Sequence, residues 1–303
     1  MATQVVRQED IVLVTNACFA GLPHERVPSR SFVSLPCNLG RDVYLEKLPD
    51  SLAERLMSAC EPTGENFRPV RPFGQLYTFI RRSPPADAWD RDMRLQQLVA
   101  ISRLVKPTSV GFEYSARMEF DHRGEVLSIA PGAVTGFGAQ AWIASESQDD
   151  WFEQADIDSL MWLWGQTTFP LVPERIGRAF WYHEYAARTE IAAIRWVLVC
   201  TGVESLINTG ADRVSKQFII RMPELARRFC GRDISRSKGS RMYELRCKIA
   251  HGQTLGTLDP AYRELYSELE TTLRTTLLAA LSDPKVGELF ASEGRINQEW
   301  PLL

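Results

Sequence analysis

Two residues in the last quarter of the chain carry its clearest chemistry. Arg246 and His251 lie within the run Tyr243-Glu244-Leu245-Arg246-Cys247-Lys248-Ile249-Ala250-His251-Gly252. An arginine is always charged and presents a fork of donors that fits two oxygens of one phosphate. A histidine ordinarily titrates near pH ~6.5 and so serves as general base or general acid around neutrality. Such a pair suits acid–base chemistry at a phosphate ester. The plainer reading of the same residues is structural: a helix-end histidine favoured by the dipole, and an arginine paired with Glu244 or Glu204. The sequence leaves both open.

Charge around this run is uneven. The whole chain carries 35 Lys and Arg against 38 Asp and Glu, a net of −3. Between Arg213 and Lys248, however, eleven basic residues face three acids (Glu224, Asp233, Glu244), a local excess of +8. Arg236, Lys238, Arg241 and Lys248 are therefore candidate phosphate contacts, against the alternative of a solvated helix face. The near-neutral total excludes a general nucleic-acid coat.

Other chemistries find little support. His24, His122 and His183 are far apart, and no pair of them has the i, i+4 spacing of a helix-borne zinc site. There is no G-x-S-x-G elbow and no phosphate loop of the G-x-x-x-x-G-K-[ST] type, so neither metal nor cofactor is expected. Six scattered cysteines (Cys18, Cys37, Cys60, Cys200, Cys230, Cys247) form no C-x-x-C pair and read as reduced cytoplasmic thiols. Apolar runs such as Trp196 to Cys200 are far below the ~20 residues of a membrane span. No membrane partner is expected.

The elements that position these residues divide the chain in two, an α+β arrangement with expected domains 1–148 and 149–303. In the first, β-branched and aromatic segments predict strands at Ile11–Val14, Ser31–Leu35, Asp42–Leu48, Phe73–Ile80, Gly111–Asp121 and Glu125–Ile129. The last two flank His122-Arg123-Gly124, a hairpin signal, so the sheet is expected to be antiparallel. Helices follow Pro49-Asp50 and Asp87. In the second domain the period becomes helical throughout. Ile176, Phe180, Ala187, Ile191, Ile194 and Leu198 predict one long helix, and Val214 to Phe229 a second, kinked or divided at Pro223. Leu245 and Ile249 mark a third, closed by Gly252, and Pro260 opens a fourth with Leu265, Leu269, Leu273, Leu277 and Leu281 on one stripe. Residues five apart on a helix stand about 140° apart around its axis. Arg246 and His251 therefore meet one phosphate only if the helix ends near Ala250, or if two copies of the chain build the site.

The Arg246-x-x-x-x-His251-Gly252 pattern, preceded by Tyr243-Glu244-Leu245, resembles the signature of HEPN domains, and its local form is most similar to the Apea-like branch. The order of helices leading to Gly202-Val203-Glu204-Ser205 and then Val214-Ser215-Lys216-Gln217 fits the same family, over roughly Pro173 to Leu281, about a third of the chain. The resemblance implies a metal-independent endoribonuclease with Arg246 and His251 catalytic and Glu204 and Tyr243 supporting. It also implies a homodimer, or pairing with another HEPN chain, and a defence or toxin-like role in which cellular or invader RNA is cut. The N-terminal half would then sense or bind something else, with a regulatory protein as a further partner. Cys247 departs from the family, whose active members often carry a polar residue after the motif arginine. The competing expectation is a non-catalytic HEPN module that binds RNA or protein within a larger assembly.

Overall fold

The computed structural model describes residues 5, 7–15, 33, 35–60, 77–82, 88–108, 110–134, 152–167, 172–189, 191–253 and 260–302. The fold is mixed α+β and forms two compact units, a first that includes Asp149–Gly165 and a second that includes Gln166–Leu303.

The first unit holds a six-stranded antiparallel sheet in the order β2-β3-β4-β1-β5-β6. The strands are β1 (Arg7–Thr15), β2 (Cys37–Gly40), β3 (Val43–Lys47), β4 (Tyr77–Arg82), β5 (Gly111–Phe120) and β6 (Val126–Val134). Along β5, Ala116, Met118 and Phe120 are buried while Arg117 and Glu119 stay half-buried, the period of two expected of a sheet covered on one face. Helix α1 (Asp50–Cys60) packs on β5 and β6, and α2 (Ala88–Val105) on β1 and β5. The predicted hairpin between β5 and β6 is closed by Asp121, whose Oδ1 accepts from the backbone N–H of Arg123 (2.8 Å) and Glu125 (2.9 Å). Of the expected strand Ser31–Leu35, residues 31, 32 and 34 lie outside the described set, and Val33 and Leu35 are not in a strand.

Helix α3 (Gln154–Gln166) belongs to the first unit, although the change to a helical period at residue 149 suggested otherwise. The β2–β3 turn holds it: Arg41 Nη2 donates to Gly165 O at 2.7 Å, covering a carbonyl of the last helical turn, and its guanidinium lies 5.4 Å from the Trp164 ring centre.

The second unit is helical. It comprises α4 (Glu174–Arg188), α5 (Ala192–Ile207), α6 (Val214–Cys230), α7 (Arg236–Ala250), α8 (Pro260–Ser282), α9 (Pro284–Leu289) and α10 (Glu293–Glu299). The single long helix expected over Ile176 to Leu198 is instead two, because Thr189 and Ile191 take extended backbone angles. The two helices fold back on each other, and of the expected stripe Ile176 and Phe180 are buried whereas Ile191 and Ile194 stay exposed. By contrast α6 runs undivided through Pro223.

Helix α5 is the hub, touching α4, α6, α7 and α8. The stripe on α8 is buried as expected, with Leu265, Leu269, Leu273, Leu277 and Leu281 all in the core. At Gly202 a side chain would meet Leu273 Cδ2 at 2.6 Å, so glycine is what lets α5 and α8 approach. Arg221, one of the eleven basic residues noted above, is wholly buried. It donates to Trp300 O (3.0 Å), Ile207 O (2.6 Å), Gln217 Oε1 (2.7 Å) and Asn297 Oδ1 (2.6 Å). These bonds tie the end of α5 and the body of α6 to the C-terminal segment.

Candidate functional site

Helix α7 ends where the sequence placed its end. Ser235 caps its start by accepting from Lys238 N at 3.2 Å. At the other end His251 is the cap residue, and Gly252 takes the left-handed angle φ +71°. Gln253 N donates to Lys248 O at 2.9 Å and Gly252 N to Ile249 O at 3.0 Å, the two bonds of a Schellman turn. His251 therefore stands outside the regular helix, exposed, and its ring makes no hydrogen bond or ion pair among the described residues.

Arg246 points toward the hub helix. Its Nη2 lies 3.3 Å from Glu204 Oε2, and its guanidinium 5.9 Å from the Tyr243 ring centre. Of the two acids suggested as partners, the structure selects Glu204; Ser240 Oγ instead donates to Glu244 at 3.1 Å. The contact is incomplete, since Glu204 Oε1 and Arg246 Nε are both buried without a hydrogen-bond partner. Burial pushes the Glu204 carboxyl above the usual range, with Arg246 opposing. Burial also works against the Arg246 charge, but Glu204, Tyr243 and Cys247 outweigh it and hold the guanidinium more firmly protonated. Tyr243 is raised, first by burial and then by Glu204 and Cys247. Arg246, Glu204, Tyr243 and Cys247 are thus one cluster, whereas no hydrogen bond or ion pair among the described residues joins Arg246 to His251. Cys200 belongs to the same cluster and went unnoticed in the sequence, although its place one turn before Glu204 puts both on one face of α5.

The basic stretch is less uniform than its sequence suggested. Arg221 is buried, Arg227 pairs with Glu224, Arg228 with Glu299, and Arg246 with Glu204. Lys238 lies 2.6 Å from Glu268 and 3.2 Å from Glu264 of α8, which raise its pKa against the effect of burial. Arg236, Arg241 and Lys248 are exposed and make no side-chain ion pair among the described residues.

A second polar cluster lies between α4 and α8. His183 Nε2 is 3.0 Å from Glu270 Oε1, and Arg274 Nε is 3.3 Å from the same oxygen, all three being buried. Burial favours the neutral Glu270 carboxyl, but His183 and Arg274 outweigh it and hold the group below its ordinary value near 4.5. A depressed carboxylate pKa contributes stability above the unfolded value, lost as pH falls through the folded one. Thermal melting is therefore expected to show the gap between the unmodified chain and Glu270→Gln closing as pH drops below about 4.5. A gap independent of pH down to acid denaturation would contradict this.

Among the described residues no group of three or more His, Cys, Asp or Glu could hold a metal ion, and no helix is long and apolar enough to cross a membrane. Asp156, in the first turn of α3, accepts from Glu153 N at 2.9 Å and pairs with Lys106 at 3.2 Å. No known family model, curated protein or solved structure matches this chain.

Proposed function

We propose that the chain is a metal-independent endoribonuclease of HEPN type, acting in the cytoplasm in a defence or toxin-like role. The observation that carries this reading is the end of α7: Arg246 held from the hub helix by Glu204, and an exposed, uncommitted His251 at the adjoining cap. Arg246 binds the phosphate and stabilises the charge that gathers on it, while His251 moves the protons. No hydrogen bond or ion pair brings the two side chains together, and in this reading two copies of the chain, or a related HEPN chain, complete the site across a two-fold axis. The reaction joins the 2′-oxygen to phosphorus and releases the 5′-oxygen, leaving a 2′,3′-cyclic phosphate and a 5′-hydroxyl. Purified chain should therefore cut RNA in EDTA and fail on a strand with 2′-deoxyribose at the cleavage site. Cleavage that requires Mg²⁺ contradicts the proposal.

Arg236, Arg241 and Lys248 supply the phosphate contacts in this reading, and Lys238 contributes least because two glutamates already hold it. Arg236→Ala and Arg241→Ala are each expected to reduce the salt slope of RNA binding by about 0.7, the single-strand value for one phosphate contact. Lys238→Ala should change it by less. Equal slopes for all three variants and the unmodified chain would remove this face from the interface.

A second reading, a non-catalytic HEPN module that binds RNA or protein, is favoured by the ion pair itself. Glu204 competes with any phosphate for Arg246, and Cys247 provides no strong hydrogen bond beside it.

A further inference from the structure

Helices α5 and α7 lie side by side and run in the same direction. Trp196 Nε1 donates to Met242 O at 3.3 Å, and two turns further along α5 Glu204 meets Arg246 at 3.3 Å. Cys200 sits midway, one turn from Trp196 and one from Glu204, so it shares the stripe of α5 that faces α7. It is wholly buried. Cys247 follows Arg246 directly, is half-buried, and neighbours the hydroxyl of Tyr243 one turn back. Two free thiols, one on each helix, are thus close enough to the ion pair that holds Arg246, and to each other, to interact electrostatically.

We propose that Cys200 and Cys247 form a reversible disulfide that locks α5 to α7 and takes Arg246 out of service when the chain meets a peroxide. The order of events follows from exposure. Cys247 is the reachable thiol, half-buried where Cys200 is wholly buried. Its sulfur attacks the peroxide, the O–O bond breaks, and sulfenic acid and water (or the corresponding alcohol) are formed. Cys200 then displaces the sulfenic hydroxyl, which leaves with the thiol proton as water, and the sulfur–sulfur bond closes. Burial, with Glu204 adding to it, pushes the Cys200 thiol well above its ordinary range, so Cys200 acts as the second partner and not the first. Intracellular reductant reverses the bond by thiol exchange. For Arg246 the consequence is that its neighbour on α7 becomes tethered to α5, fixing the guanidinium against Glu204. Only this loss of cleavage rests on the ribonuclease reading.

The test is to treat reduced full-length chain with stoichiometric hydrogen peroxide, block remaining thiols, digest without reductant and weigh the peptides. The expected product is a Cys200–Cys247 linked peptide about 2 Da lighter than its two halves together, which disappears after reduction. In Cys247→Ser, Cys200 should instead be recovered as a thiol. Cys247 recovered as sulfinic or sulfonic acid, or still free to alkylate, with Cys200 unlinked, overturns the proposal whether or not the chain cuts RNA. In a chain that does cut RNA, the linked form should lose activity at least about tenfold and regain it on reduction. Full activity in the linked form would overturn the regulatory role.

Discussion

His251→Ala and Arg246→Ala are each expected to abolish RNA cleavage, the first with a melting curve close to that of the unmodified chain and the second with a lowered one, because the buried Glu204 loses its partner. His251 is exposed at a helix cap and makes no described side-chain bond, so its removal costs little folding energy. What is lost is proton transfer, worth roughly 100- to 10,000-fold in rate. For Arg246 the same experiment carries a second control. Arg246→Lys keeps a charge for Glu204 but cannot donate the bidentate pair, so it should restore little of the activity. Glu204 is part of the same measurement: losing Arg246 leaves a buried carboxylate unpaired and lowers the melting temperature in either case, so cleavage is the readout that separates the two roles. Loss of stability with unchanged cleavage would therefore favour the structural role.

The largest effect on folding is expected at Arg221. Its guanidinium has no exposed surface and serves the carbonyls of Ile207 and Trp300 together with the side-chain oxygens of Gln217 and Asn297. Arg221→Ala would take a charged donor from the carbonyls of Ile207 and Trp300 and add a cavity, while Gln217 and Asn297 would keep Thr209 as a donor. We expect a loss of about 3 kcal/mol or more, since two carbonyls each lose a bond to a charged donor worth about 1.5–3 kcal/mol and a cavity opens. Chemical denaturation of the unmodified and variant chains measures this directly. A cost below about 1 kcal/mol would mean that water replaces the arginine in the variant.

Much of this architecture was legible in the sequence, and the failures have physical causes. The end of α7 could be read because Gly252 fits the left-handed position after the cap, and the α8 stripe because one leucine recurs every four residues. The β5–β6 hairpin was legible from its glycine-terminated loop. The break between α4 and α5 was not, since Thr189-Glu190-Ile191 contains neither glycine nor proline and the apolar period runs straight across it. Tertiary packing decided that turn. Strand β2 was missed because Cys37-Asn38-Leu39-Gly40 is too short to show alternation. Within the basic stretch, charge counting could not separate a buried Arg221 or an ion-paired Lys238 from exposed Arg236 and Arg241, because partners such as Glu268 and Asn297 are distant in sequence. For the same reason the spacing of Arg246 left two acids as partners, and only the path of α5 past α7 selected Glu204.

The most direct test of the central claim is the chemistry of the ends left when the purified chain cuts an RNA oligonucleotide in EDTA. The mechanism built on Arg246 and His251 predicts 2′,3′-cyclic phosphate or its opened 3′-phosphate on one fragment and a 5′-hydroxyl on the other. Fragments carrying 5′-phosphate and 3′-hydroxyl ends, or the absence of any cut by a folded and reduced chain, would contradict it.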